Sequence, residues 1–206
     1  MNIFKKGENN MKKQFIAGDF TLSPNQAKVI IHSTTNFRDR CLIKCLYYAG
    51  MRREETTLLE IADIDFFNRR IRITGKFNKI RIIPFSDFEF MGDMKHLIGT
   101  RTTGKVFDVS IRQVNWIVQK AGEKANIPNP NPNLKHINPH LFRHSIARHL
   151  KAQGFSLETL QNFLGHEKFT TTMDVYGRQG IDEMQSEFDK KLGLIGNNET
   201  KLIPLK

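Results

Sequence analysis

Cysteine and tyrosine are scarce in this chain of 206 residues: two of the first and three of the second, beside a single tryptophan. So few thiols exclude a disulfide framework. Cys41 and Cys45, four apart in an apolar helical pattern, read as small buried hydrophobes on one side of a helix, and two thiols alone make no zinc site. No run of about 18 apolar residues is present, which excludes a transmembrane helix, and the lysine-rich start (Lys5, Lys6, Lys12, Lys13) has no apolar signal core. The expectation is a soluble, cytoplasmic protein without a membrane partner. Internal repeats, low-complexity tracts and a Gly-rich phosphate loop are also missing. Acidic side chains are few as well, 21 Asp and Glu against 32 Lys and Arg, and the balance is +11. That surplus favours a polyanionic partner, nucleic acid first and an anionic membrane surface second, because each neutralised phosphate releases counterions.

What is present reads as one domain with extended ends. Residues 1–20 are polar and basic without a sustained period and are expected to form a flexible arm; residues 21–193 form the domain, and 194–206 a loose tail. Ser23, Pro24 and Gln26 supply an N-cap, a first-turn proline and a capping-box partner for a helix to about Ser33. Asn36 caps the next helix, whose Leu42, Ile43, Leu46 and Tyr47 recur at helical spacing until Gly50, and a short helix follows Arg52. Between Asp63 and Pro84 the period changes. Ile64 and Phe66, Ile71 and Ile73, then Ile80, Ile82 and Ile83 form β-branched runs separated by Asn68-Arg69 and by Gly75 to Asn78, so a small three-stranded antiparallel sheet is expected.

Helices return at about 87–98 and at 111–124, the second with Ser110 and Gln113 as a capping box and Trp116, Ile117 and Val118 assigned to the core. Asn126 to Asn138 is rich in Asn and Pro and reads as a loop. Asn138 then caps, and Pro139 starts, a helix that places His140 and Arg143 one turn apart and ends at Gly154. Ser156 opens another helix that Gly165 stops just before His166. Helix resumes from Thr170 with Tyr176, and a last helix carries the narrow apolar stripe Ile181, Met184, Phe188 and Leu192.

The polar residues in these places match the needs of phosphodiester transfer. Arg52 and Arg143 offer planar, permanently charged forks for non-bridging phosphate oxygens. Tyr176 is a nucleophile once a base and a cationic field help remove its proton, and His140 and His166 titrate in the useful range. Lys76, in the turn Thr74-Gly75-Lys76-Phe77-Asn78-Lys79, can donate a proton to a leaving oxygen. Singly these are weak signals: a His-x-x-Arg pair is more often a surface pair, Leu164-Gly165-His166 an ordinary helix stop, and Tyr176 a core aromatic. Jointly they supply every group one metal-free mechanism requires.

Those residues resemble the tyrosine recombinase, or phage integrase, family over roughly residues 20–190. Tyr48-Ala49-Gly50-Met51-Arg52-Arg53-Glu54-Glu55 is similar to its first-arginine box, with Glu55 at the place of a supporting acid. Gly75 to Pro84 is similar to the β-hairpin bearing its catalytic lysine. His140-Leu141-Phe142-Arg143-His144 resembles its His-x-x-Arg box, and Leu164-Gly165-His166 with Thr171 to Tyr176 its last histidine and its nucleophile. The resemblance implies a mainly α-helical α+β fold with the small sheet, and neither metal nor nucleotide cofactor.

It implies further that Tyr176 attacks a scissile phosphate in double-stranded DNA, forming a 3′-phosphotyrosyl link and freeing a 5′ hydroxyl that attacks the link on a partner strand. Four protomers would synapse as a nucleoid-associated tetramer through the C-terminal helix, with Leu202-Ile203 as an added edge strand. Members usually carry an N-terminal helical clamp domain, and only about 20 residues precede the catalytic fold here. The expectation is a stand-alone short recombinase or dependence on a partner or longer parent protein. The rival readings are a type IB-like topoisomerase and a non-catalytic DNA-binding regulator. Arg69, Arg70, Arg112, Lys135 and Lys151 are candidates for base or phosphate contact.

Overall fold

The computed structural model of the chain describes residues 20–165, with Lys76 described by its backbone alone. The expected arm, His166, Tyr176, the helix from Thr170, the apolar stripe and the tail lie outside the described residues, apart from Phe20 at the arm's end. Within them seven α-helices and one sheet follow the order α1 (Pro24–Ser33), α2 (Phe37–Tyr48), α3 (Arg53–Leu58), β1 (Ile64–Asp65), β2 (Arg70–Thr74), β3 (Ile80–Pro84), α4 (Phe88–Ile98), α5 (Ile111–Lys124), α6 (Pro139–Ala152) and α7 (Leu157–Leu164).

Local chemistry accounts for most of these boundaries. Ser23 and Gln26 form a reciprocal capping box with Pro24 at the first position of α1, and Ser110 with Gln113 does the same for α5. Asn36, Asp87, Asn138 and Ser156 each accept a backbone N–H at the start of α2, α4, α6 and α7. Each satisfies a donor that the first helical turn leaves without a partner.

The core is built around α2. Every residue from Cys41 to Tyr47 is buried, so beyond its first turn this helix has no solvent face, and it is surrounded by α1, α3, α4, α5 and α6. A helix covered on all sides must satisfy any polar group internally. Cys41 and Cys45 behave as expected, buried and unbridged. Lys44 is the exception in kind: its side chain is 2% exposed, and its ammonium lies 2.5 Å from Glu89 and 2.6 Å from Asp93 on α4. Burial pushes the Lys44 pKa down, but the hydrogen bonds and charges of Asp93 and Glu89 outweigh it and raise the pKa above its usual value. The pair therefore ties α2 to α4 as a buried charge compensated at both oxygens.

The sheet has the order β1-β2-β3, antiparallel throughout. Register decides its two faces. Ile71 pairs with Ile83 and Ile73 with Arg81, so the buried face of β2 continues onto Arg81 and Ile83, while Ile80 and Ile82 lie on the exposed face with Arg70 and Arg72. Side chains alternate strictly along a strand, so this arrangement puts an arginine inside and two isoleucines outside. The connection between β2 and β3 closes with Gly75 N–H donating to Lys79 O at 2.8 Å. Phe77 and Asn78 adopt left-handed conformations there, at φ 59° and 54°.

One core assignment is corrected. Trp116 is 58% exposed. The buried stripe of α5 is Val114, Ile117, Val118 and Ala121, and at 100° per residue position 116 falls on the opposite face. The Asn- and Pro-rich stretch 126–138 is a loop as expected, held by Asx contacts: Asn129 accepts from Asn131 N–H and donates to His136 O, and Asn131 accepts from Asn133 N–H.

Candidate active site

Gly50 begins the construction of the site. Its φ of +54° follows α2, and a Cβ there would stand 2.7 Å from Phe163 Cε1, so only glycine lets the α2–α3 junction approach α7 this closely. Two residues on, Arg52 is the extended N-cap of α3. Glu55, at the third position of that helix, accepts the Arg52 backbone N–H at 2.7 Å. This is half a capping box, because an arginine side chain has no acceptor with which to return the bond. The Arg52 guanidinium instead donates to Glu55 Oε1 at 2.9 Å and keeps 34% of its side chain exposed.

Glu55 is the hub. Its side chain is 2% exposed, and Arg81 grips both carboxylate oxygens, Nη1 to Oε1 at 2.7 Å and Nη2 to Oε2 at 2.8 Å. Burial alone would raise the carboxyl pKa. The bidentate hydrogen bonds and charge of Arg81, then the charge of Arg143 and the Arg52 N–H, reverse the direction and hold it at about 2. Three guanidiniums face one carboxylate, a local excess of positive charge held in place by a buried anion. The hairpin reaches the same point through its turn, since a Cβ on Gly75 would lie 3.4 Å from Glu55 Oε1. Lys76 follows directly, its backbone opening the tight turn.

Helix α6 contributes the second arginine. Asn138 caps it and Pro139 starts it, which sets His140 and Arg143 one turn apart. Arg143 is buried and donates from Nη1 to Gly50 O and from Nη2 to Leu164 O. Arg81 donates from Nε to Phe163 O at 3.0 Å. The last carbonyls of α7 therefore receive arginine donors from two different elements, where the helix leaves acceptors unpaired and its dipole is negative. Gly165 then turns the chain in a left-handed C-cap at φ 63°, with Arg81 Cδ only 2.9 Å from the position a Cβ would take.

His140 is surface-exposed at the start of α6. Partial desolvation and the charge of Arg53 lower its pKa, Glu54 opposes them, and Arg143 and Arg52 lower it further. Desolvation and these cations therefore favour the neutral imidazole, the form that accepts a proton. His144, one turn along, is driven down to about 4 by burial and by the charges of His140 and Arg143.

Arg52, Glu55, His140 and Arg143 come together from α3 and α6, close enough for their charges to act on one another. The backbone of Lys76 joins them beside Gly75. Among the described residues, no three His, Cys, Asp or Glu side chains are grouped so as to hold a metal ion. Sequence reasoning missed Arg81. Its only signal was an arginine at the buried parity of a strand, beside Ile83, while Ile80 and Ile82 fall on the other side, a pattern that makes sense if an acid waits inside. Also missed was the support behind α6. His149 Nε2 donates to Leu22 O at 2.9 Å, so its Nδ1 accepts from the Tyr47 hydroxyl at 2.8 Å. Ser145 Oγ accepts the Leu22 N–H at 2.9 Å, and α6 thus holds both backbone groups of the residue leading into α1.

Comparison with known proteins agrees with this fold. The phage integrase family model matches residues 21–180. Tyrosine recombinase XerD of Staphylococcus saprophyticus is 30% identical over 182 residues, 81% of this chain and 58% of that protein. The crystal structure of XerA recombinase superimposes with a TM-score of 0.70 at 22% identity, over 83% of this chain and 64% of that one. The Tn1549 transposon integrase in complex with transposon right end DNA gives 0.64 at 18% identity, over 84% and 66%. This chain spans about half the length of the curated relatives it matches. The fold is that of the tyrosine recombinase catalytic domain, and the chain belongs to the phage integrase family.

Proposed function

We propose that this chain is a site-specific DNA recombinase that cuts and rejoins duplex DNA through a 3′-phosphotyrosyl link at Tyr176, with residues 21–193 as its catalytic unit. The observation that carries the reading is the Arg52–Glu55–Arg143 cluster: two guanidiniums on different helices, oriented by a buried carboxylate and by backbone carbonyls, near His140, whose pKa desolvation and neighbouring cations lower. A site that needed only to bind phosphate would be served by mobile surface lysines. Preorganised forks are what stabilise charge developing on a transferring phosphoryl group, because they need no reorganisation when it appears.

In this reading the Tyr176 oxygen attacks phosphorus while Arg52 and Arg143 hold the non-bridging oxygens. The phenolic proton passes to His140 or His166. As the Tyr–O–P bond forms, the bond from phosphorus to the 5′ oxygen breaks, and Lys76 protonates that oxygen. The reverse attack by a 5′ hydroxyl from a partner strand completes the exchange, and the covalent link conserves the bond energy in between. Membership of the family supports duplex DNA as the partner, as do the +11 balance and a neighbour solved with transposon DNA. Four copies would assemble on it through the apolar stripe Ile181, Met184, Phe188 and Leu192.

The test is a set of nicked duplexes carrying DNA from either side of the gene, which trap the adduct because the nick releases the short 5′ fragment. A covalent protein–DNA species is expected with the wild type and not with Tyr176→Phe. Its failure to form with the wild type would sink the enzyme reading. Exchange of strands between two labelled duplexes, as opposed to relaxation of a supercoil, separates a recombinase from a topoisomerase.

A further inference from the structure

Resting on that reading, we propose that Arg81 is a positioning residue for strand cleavage: by occupying both oxygens of Glu55 it keeps Arg52 turned outward for the scissile phosphate. Three observations meet in it. Glu55 is buried and ionised, so it must have a cationic partner. Two bond its oxygens directly, and they do so differently: Arg81 by two parallel bonds with its side chain 10% exposed, Arg52 by a single side-chain bond with its side chain 34% exposed. Arg81 is thus the counterion, and Arg52 is only steered.

The third observation is what else Arg81 holds. Its Nε caps Phe163 O in the last turn of α7, its aliphatic stem packs where Gly165 would otherwise carry a Cβ, and its strand leads back to the turn that begins with Gly75 and Lys76. One side chain therefore sets the mutual placement of the hairpin, the first arginine and the helix end that leads to His166. Without Arg81 the Glu55 carboxylate has Arg52 as its nearest guanidinium, and drawing Arg52 inward removes a donor from the phosphate. The loss falls on the rate of cleavage and not on the many contacts that hold the rest of the duplex.

The experiment measures single-turnover adduct formation and duplex affinity side by side, on the full chain with the nicked duplexes described above. Arg81→Gln is expected to cleave roughly 10- to 100-fold more slowly, with affinity changed by less than about threefold. The double variant Glu55→Gln/Arg81→Gln removes the anion that captures Arg52 and is expected to cleave about as fast as Glu55→Gln alone, faster than Arg81→Gln. Arg81→Lys keeps the charge without the fork; its melting midpoint should stay near the wild type while cleavage slows, which keeps the test open if the glutamine variant folds poorly. Wild-type cleavage by both Arg81 variants, or losses that simply multiply in the double variant, would overturn the proposal. A wild-type chain that forms no adduct overturns this proposal together with the recombinase reading, whereas normal wild-type adduct with either result above overturns this one alone.

Discussion

Arg143 donates to the carbonyl oxygen of Leu164, the residue that ends α7, while its other terminal nitrogen donates to Gly50 O. A side chain placed by sequence pattern as a phosphate ligand is thus also a structural bolt across three segments. A guanidinium carries five N–H donors, so two carbonyl bonds orient it without using up its capacity.

Arg143→Ala should therefore have two effects that can be measured apart. It abolishes adduct formation while most duplex affinity remains, since one phosphate contact among many is lost. It also leaves two buried carbonyls without donors, at roughly 1–3 kcal/mol each. Differential scanning calorimetry should show a melting midpoint about 5–10 °C lower; an unchanged midpoint would contradict the bolt, and proportional loss of binding and cleavage would contradict the phosphate role.

Glu55 makes stability depend on acid. Its folded pKa of about 2 lies below the usual 4.5, so it contributes stability that is complete above pH 4.5 and is lost as pH falls from there towards 2. The contribution is roughly 3 kcal/mol. Denaturant midpoints for the wild type should drop more steeply across that window than those for Glu55→Gln, and parallel curves would refute the linkage.

Two glycines separate backbone strain from crowding at the site. Gly154 and Gly165 both have positive φ, 88° and 63°, but a Cβ at Gly154 meets nothing within 4 Å whereas one at Gly165 meets Arg81 at 2.9 Å. Gly154→Ala should cost about 1–2 kcal/mol and leave adduct formation unchanged. Gly165→Ala should cost more and slow cleavage by displacing Arg81. Equal effects of the two on cleavage would argue against contact with Arg81.

The Tyr47–His149–Leu22 chain should control the segment that leads into α1. Tyr47→Phe leaves a half-buried imidazole nitrogen without its donor, at about 1–3 kcal/mol. Hydrogen exchange at the amides of Leu22 and its neighbours should speed up in this variant and in Ser145→Ala, which removes the acceptor of Leu22 N–H. Unaltered exchange in both would show that α6 does not hold this segment.

Duplex affinity should fall steeply with salt, log K decreasing linearly with log salt concentration at a slope near −0.9 per neutralised phosphate. A flat response in filter binding between low and moderate salt would exclude a phosphate-dominated interface.

Much of the architecture was readable from local patterns, and the reason is that those features are local. Ser23 with Gln26 and Ser110 with Gln113 cap helices through residues three apart. The isoleucine runs gave the sheet because period two and turn residues lie within one stretch of chain. Trp116 was misplaced because it adjoins Ile117 and Val118 in sequence yet faces away from them on the helix. Lys44 was unremarkable until α4 supplied Glu89 and Asp93. Arg81 was overlooked because its isoleucine neighbours look like the core face, and only pairing with β2 shows that Ile73 sets the buried parity.

The sequence by itself determined which groups the proposed phosphodiester chemistry draws on, Arg52, Lys76, His140, Arg143, His166 and Tyr176, and the caps and periods of the elements on which the described ones stand. Motif spacing and capping act over a few residues, so they survive in a linear reading. Tertiary structure alone decided how the described groups are held: Glu55 as a buried hub gripped by Arg81, Arg143 bonded to carbonyls of two distant segments, and His140 with its pKa lowered by partial desolvation and surrounding cations. Those properties depend on distance and solvent exclusion between parts of the chain far apart in sequence, and neither exists until the helices pack.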